Sequence, residues 1–428
     1  MIRWLAALLG SALLMGCVAA PPRDSLDRIA GDYVRMQLEI GEHEAGYIDA
    51  YYGPAEWQEA AKANRRSLEE LTAEVANLSA RTTAANEGLS PLEQRRRAFL
   101  LAQLKAAETR LRMRRGEKLS FVDEAEGLFA YRPELKELST YDPLLARIER
   151  LVPGSGALAD RVDAFQNRFT IPKERLQPVF DAAIGECKRR TLRHITLPPE
   201  ENFTMEFVTG KSWSGYNWYK GNLTSLIQIN TDLPIRISRA VDLGCHEGYP
   251  GHHVFNLLLE QRLVKERGWV EYSVYPLYSP QSFIAEGSAN YGIDLAFPGE
   301  ERLRYEAAAL YPLAGLPTAD AAKFLELDKA ISELQGARFT IARDLLEGRI
   351  SRDQAVALTR KYQLVSQARA EQLIKFTEEY RSYVINYGLG KDAVRNYIEA
   401  QGPSEEARWE AMERILSEPT LPSDLLVR

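Results

Sequence analysis

Over most of residues 26–195, apolar positions recur at intervals of three and four residues. That is the period of one helix face, and glycine and proline mark the breaks between successive helices. Ser90-Pro91-Leu92-Glu93 is a capping box with proline at the first helical position. It opens a helix whose Phe99, Leu100, Leu104 and Leu111 share a face, while its many arginines read as a solvated face. Between about 196 and 235 the pattern changes. Leu197-Pro198-Pro199 interrupts the helices, Phe203-Thr-Met-Glu-Phe-Val alternates as a strand does, and Leu226-Ile-Gln-Ile-Asn230 reads as another strand. From Pro234 onward the helical period returns. In the C-terminal third, Gly348 stops one helix and a capping box from Ser351 to Gln354 starts the next. The expected fold is mainly α, with one small β element just ahead of the helix that carries the chemistry.

The first residues follow a different rule. Met1 to Gly16 holds one charge, Arg3, and an apolar run from Trp4 to Met15 that suits a secretory signal better than a membrane span. It ends in Leu14-Met15-Gly16-Cys17, which resembles the lipobox of bacterial lipoproteins. That resemblance implies cleavage before Cys17 and a lipid on its sulfur. Because Val18 follows rather than an aspartate, it also implies sorting to the outer membrane, facing the periplasm. The expected parts are a signal peptide over 1–16, a lipidated cysteine and tether over 17–25, an N-terminal helical region over 26–195 and a metal-binding catalytic region over 196–428. The last two read as one continuous domain. No later segment has the length and apolarity of a membrane span, so contact with a membrane is expected only through that lipid.

A net charge of −6 gives no argument for nucleic acid as a partner. Beyond Cys17 the chain has Cys187 and Cys245. In an oxidising compartment they can pair or remain as buried thiols, and the sequence leaves both open.

Candidate chemistry concentrates in one place. Of five histidines, three fall within His246-Glu-Gly-Tyr-Pro-Gly-His252-His253. The usual zinc-hydrolase helix carries His-Glu-x-x-His, with both imidazoles on one face and the glutamate as base. Here Pro250 stands at the fourth position after His246. On an unbroken helix His253 would share the face of His246 but lie about 10 Å further along the axis, too far for one ion. The spacing works only if Pro250-Gly251 breaks the helix and folds the chain back. Whether His252 or His253 is then the second ligand stays open, the other being left to orient a ligand or contact substrate. Phe283-Ile-Ala-Glu286-Gly-Ser-Ala-Asn-Tyr291 offers a third ligand, Glu286, in an apolar helical run with small residues for close packing. Two imidazoles, a carboxylate and water would make an open catalytic site for one zinc ion. His43 and His194 lack motif partners and read as structural, and Cys245 should face away from His246.

His-Glu-x-x-Pro-Gly-His-His followed by Glu-Gly-x-Ala-x-Tyr resembles the bacterial family known as domain of unknown function 885, over most of the mature chain. Asp49-Ala-Tyr-Tyr52-Gly-Pro54 and Asn230-Thr231-Asp232 resemble further features of that family, whereas Ser288 stands where it commonly has tryptophan. The family is similar to helical zinc metallopeptidases. The resemblance implies a large metallopeptidase-like helical fold, Glu247 as general base and a peptide or amide substrate that pairs with the strand ending at Asn230. Arg381-Ser-Tyr383-Val-Ile-Asn-Tyr387-Gly-Leu-Gly390 is similar to the family's Arg-x-Tyr…Tyr-x-x-Gly segment. Tyr387 is the preferred donor to a developing oxyanion, with Tyr383 and Arg381 behind it. Two other readings compete: hydrolysis of a non-peptide bond at the same centre, and a non-catalytic envelope lipoprotein that binds a metal or partner.

Overall fold

The computed structural model describes residues 25–426, so the signal-like run, Cys17 and nearly all of the tether lie outside the described residues. The fold is mainly α. Helix Pro91–Arg114 starts at the expected box: Glu93 N–H donates to Ser90 Oγ at 3.3 Å, and Ser90 N–H to the Glu93 carboxylate at 2.8 Å. Ser351 and Gln354 form the same reciprocal pair ahead of helix Arg352–Gln363. Phe99, Leu100, Leu104 and Leu111 are buried as their spacing predicts. The arginines of that helix are not uniformly solvated. Arg96 is buried, with Nη2 on Glu271 Oε2 at 2.9 Å, and Arg110 reaches Glu44 with its Nε at 2.9 Å. A long arginine can cross an apolar face when a carboxylate waits beyond it, and helical period alone does not reveal that partner.

Two small sheets interrupt the helices. Strand β1 (Ile48–Tyr51) pairs antiparallel with β5 (Val274–Pro276). Strands β2 (Asn202–Val208), β3 (Gly215–Gly221) and β4 (Thr224–Asn230) form a sheet ordered β2-β4-β3, with β4 parallel to β2 and antiparallel to β3. The aromatic residues between Trp213 and Tyr219 lead into and along β3. β1 and β5 escape a periodicity reading because they are four and three residues long.

The main hydrophobic core draws Ile29, Leu100 and Phe180 from before residue 196 and Ile227, Leu257, Phe283 and Ile398 from after it. A smaller core gathers Ile148, Val162, Leu327, Leu334, Ile341 and Ile374. Cys187 and Cys245 form a disulfide, which ties helix Leu176–Thr191 to the turn that carries His246. No helix among the described residues is long and apolar enough to cross a membrane.

Helix Pro280–Ala296 is buried almost throughout and packs against helix Ile385–Glu399. Their closest approach is at Gly287, where a Cβ would stand 2.5 Å from the carbonyl oxygen of Gly390. Backbone there cannot yield as a flexible side chain would. Gly287→Ala should therefore destabilise the protein by about 1–3 kcal/mol, the usual cost of overpacking. Urea unfolding checks this, and a midpoint unchanged from wild type would show that the helices have room to part.

Candidate metal centre

Helix Ser238–Leu243 widens into a π-helical turn over Gly244–Gly248, which carries His246 and Glu247. Tyr249 then extends, the Tyr249–Pro250 peptide is cis, and a new helix starts at His252. Gly251 makes the reversal sterically possible. A Cβ at that position would lie 1.8 Å from the His246 carbonyl oxygen and 2.5 Å from that of Cys245. The Gly251 N–H instead donates to Cys245 O at 3.0 Å, which closes the turn.

This reversal brings His252 Nε2 to 3.0 Å from His246 Nε2, with the rings edge to face. Glu286 Oε2 lies 3.2 Å from the first nitrogen and 3.7 Å from the second. Tetrahedral ligands with bonds of about 2.0–2.1 Å stand roughly 3.3 Å apart. The three observed separations bracket that spacing, so these atoms fit around one ion. Glu286 Oε2 is also buried and receives no directed hydrogen bond, although an imidazole is close. A buried carboxylate oxygen left without a donor is costly, and a cation would satisfy it.

The rest of Glu286 is well held. Tyr383 donates its hydroxyl to Oε1 at 2.8 Å. Burial pushes the Glu286 carboxyl up, but His252 and His246 outweigh it and hold the group far below the usual carboxylate range. Burial likewise opposes charge on His252, yet Glu286, then Glu247 and Asp49, raise it from 6.5 to about 9. Glu247 is pushed upward, first by burial; His246 and His252 pull it down and Glu286 adds to the rise. Its carboxylate has no hydrogen-bond partner among the described residues, while its backbone carbonyl accepts from Asn217 Nδ2 of β3 at 2.8 Å. β3 comes close to the carboxylate because residue 215 is glycine: a Cβ there would be 2.6 Å from Glu247 Oε1.

His253 does not join the ligands. One residue further on a helix turns the side chain by about 100°, and His253 points into a buried network instead. Its Nδ1 meets Ser225 Oγ at 2.8 Å and its Nε2 meets Glu201 Oε2 at 2.9 Å. Arg381 is also elsewhere: its Nε donates to Glu124 Oε2 at 2.9 Å, so that it anchors the turn ahead of Tyr383 and takes no part at the centre. Tyr387 lines the cavity, its ring nearly parallel to that of His246 with the centroids 6.4 Å apart. His43 bonds the Arg66 carbonyl at 2.7 Å, and His194 stacks on Trp409 at 4.7 Å. The strand ending at Asn230 cannot pair with a substrate, because β4 is the middle strand and both its edges are taken. The strand beside the centre is β3, at the sheet edge.

His246, His252, Glu286 and Glu247 open onto a cavity of about 1130 Å³. Several of its residues gave no sequence signal. Arg338 and Arg369 line it from helices Gly336–Leu346 and Gln367–Tyr380. Asp49, in the segment resembling a family feature, also lines it and accepts a hydrogen bond from Tyr216; burial pushes its carboxyl up to about 6.

No protein-family model matches this chain, and no curated protein matches it in sequence. The motif likeness therefore remains a likeness. Among solved structures, one from Colwellia psychrerythraea, provisionally described as a lipoprotein, superposes with a TM-score of 0.52 at 14% identity, over 86% of this chain and 70% of that one. An M32 carboxypeptidase from Deinococcus radiodurans R1 aligns over 91% of this chain and 88% of that one, at 13% identity and a TM-score of 0.39. The first likeness shows a shared fold; the second is too loose to carry an argument.

Two expectations follow. His252→Gln should abolish binding of a divalent transition metal, whereas His253→Gln should keep about one ion per chain; elemental analysis decides, and metal retained by the first variant would reject this ligand set. In the metal-free protein, the raised His252 value means that its pairing with Glu286 stabilises fully below pH 6.5 and fades as pH rises through about 9. A metal needs the neutral ring, so apparent affinity should climb by up to about tenfold per pH unit across that window. A titration flat with pH would contradict this.

Proposed function

We propose that the protein is a zinc-dependent hydrolase of peptide or related amide bonds. The observation that carries this reading is the convergence of His246, His252 and Glu286, with the otherwise unengaged Glu247 carboxylate beside them, on one large cavity. The ion, when bound, supplies Lewis acidity, polarising a carbonyl and making water a stronger acid.

The chain's own residues do the rest. Glu247 is the general base. Its raised pKa brings it nearer to neutral pH than an exposed glutamate, where a base can both take a proton and return it to a leaving amine. Tyr383 fixes the Glu286 carboxylate through Oε1, which leaves Oε2 for the metal. Burial raises the Tyr387 hydroxyl well above its ordinary value, so it stays a proton donor for a developing oxyanion. β3 offers an extended substrate the edge of a sheet, beside the base rather than remote from it. The lipobox likeness completes the reading, with Cys17 carrying a lipid that tethers the enzyme to the outer membrane, facing the periplasm.

Glu247→Gln should keep the metal and lower turnover by about 10²–10⁴-fold, the range for losing a general base. Removing the metal with a chelator should abolish turnover in wild type, and added zinc should restore it. A peptide-library digest read by mass spectrometry measures both, and a Glu247→Gln protein as active as wild type would falsify the assignment.

A further inference from the structure

Among the described residues, two guanidinium groups in the cavity form no ion pair with a carboxylate, although the charge of Glu286 is felt at Arg338. Arg338, from helix Gly336–Leu346, lies over the rings of Phe376 and Tyr387 at 5.3 and 5.7 Å, and its Nε is buried without a hydrogen-bond partner. Arg369, from helix Gln367–Tyr380, donates to Gln372 Oε1 at 2.5 Å and to Ser214 Oγ at 3.0 Å, both uncharged. Other arginines lining the same cavity are paired: Arg239 with Asp242 at 3.2 Å, Arg302 with Asp242 at 2.8 Å, and Arg236 with Asp163 at 2.5 Å. Positive charge is therefore left over at two neighbouring positions, in a space large enough for a ligand. Burial, then the nearby Arg239, Arg338 and Arg236, depress Arg369 to about 9, as expected where cations crowd without an anion.

Position narrows the identity of that anion. The Arg338 guanidinium is 5.7 Å from the Tyr387 ring, which is itself 6.4 Å from the His246 imidazole, so no more than about 12 Å separates guanidinium from imidazole. A guanidinium–carboxylate contact takes up about 4 Å and the reach from ring to ion roughly 3 Å, which leaves at most about 5 Å, room for one extended residue but not two. A guanidinium matches a carboxylate in planar, two-point fashion. We infer that Arg338 and Arg369 form a subsite for the free α-carboxylate of a peptide substrate, so that cleavage falls one residue from the C-terminus. This rests on the hydrolase reading above.

Equilibrium binding tests the subsite without relying on turnover. The probes are N-acetyl-Ala-Gln with a free carboxylate, its C-terminal amide, and N-acetyl-Ala-Glu amide, titrated calorimetrically into zinc-loaded Glu247→Gln protein. The free acid should bind about tenfold or more tightly than either amide, the usual scale for a charge-assisted pair. Arg369→Gln and Arg338→Gln should each erase that preference; the two lie on different helices, and the probe comparison itself needs neither variant. Acid and amide binding within about twofold of each other would overturn the subsite. So would a glutamate amide that binds as well as the acid, because the arginines would then read a side chain. If the acid preference holds but wild type cleaves no peptide, the subsite stands and the hydrolase reading falls. If wild type cleaves free and amidated peptides alike, the reverse holds.

Discussion

The carbonyl of His246 and the Cα of Gly251 lie so close that a methyl group has no place between them. The arrangement of the centre depends on that approach. It lets the chain turn back within six residues and set the imidazoles of His246 and His252 at 3.0 Å, where a continuous helix would hold them on different faces. The π-helical turn before it and the disulfide at Cys245 fasten one side of the reversal, and the buried network of His253, Ser225 and Glu201 fastens the other. The third member of the group, Glu286, comes from a separate constraint, the contact between Gly287 and Gly390, which sets it beside Tyr383.

The electrostatics of the cavity divide along the same lines. A buried glutamate sits between two imidazoles with one oxygen unsatisfied, an arrangement that a cation completes. In the same cavity, no carboxylate among the described residues pairs with Arg338 or Arg369. Glu247 lies with the metal ligands, against the edge of β3. On the proposals above, a metal ion and a substrate carboxylate would share this cavity, which suits it to holding a substrate in one orientation.

Much of this was legible in the sequence, and the failures have physical causes. The capping boxes at Ser90 and Ser351 depend on local geometry and were readable as such. So was the need for a break at Pro250-Gly251, because helix rise alone forbids one ion from bridging the motif. The choice between His252 and His253 was not readable. It depends on how far the reversal turns the new helix, and that is set by Ser225 and Glu201, far away in sequence. Arg381 and Tyr383 stand two residues apart in one motif, yet Glu124 draws the arginine away while the tyrosine reaches Glu286. The arginines of the cavity were invisible for the same reason as the buried Arg96 and Arg110: periodicity tells which face a residue occupies but not what lies opposite. The edge strand was missed because Trp213 to Tyr219 stands out as aromatic, and its role follows from sheet order, which only the fold supplies.

X-ray absorption at the zinc edge of the metal-loaded protein measures the central claim directly. Two imidazole nitrogens and a carboxylate oxygen at about 2.0–2.1 Å, with a further light ligand and no sulfur, is the environment expected from this reversal. A first shell with a single imidazole, or a spectrum unchanged by replacing His252, would mean that the two rings do not share an ion.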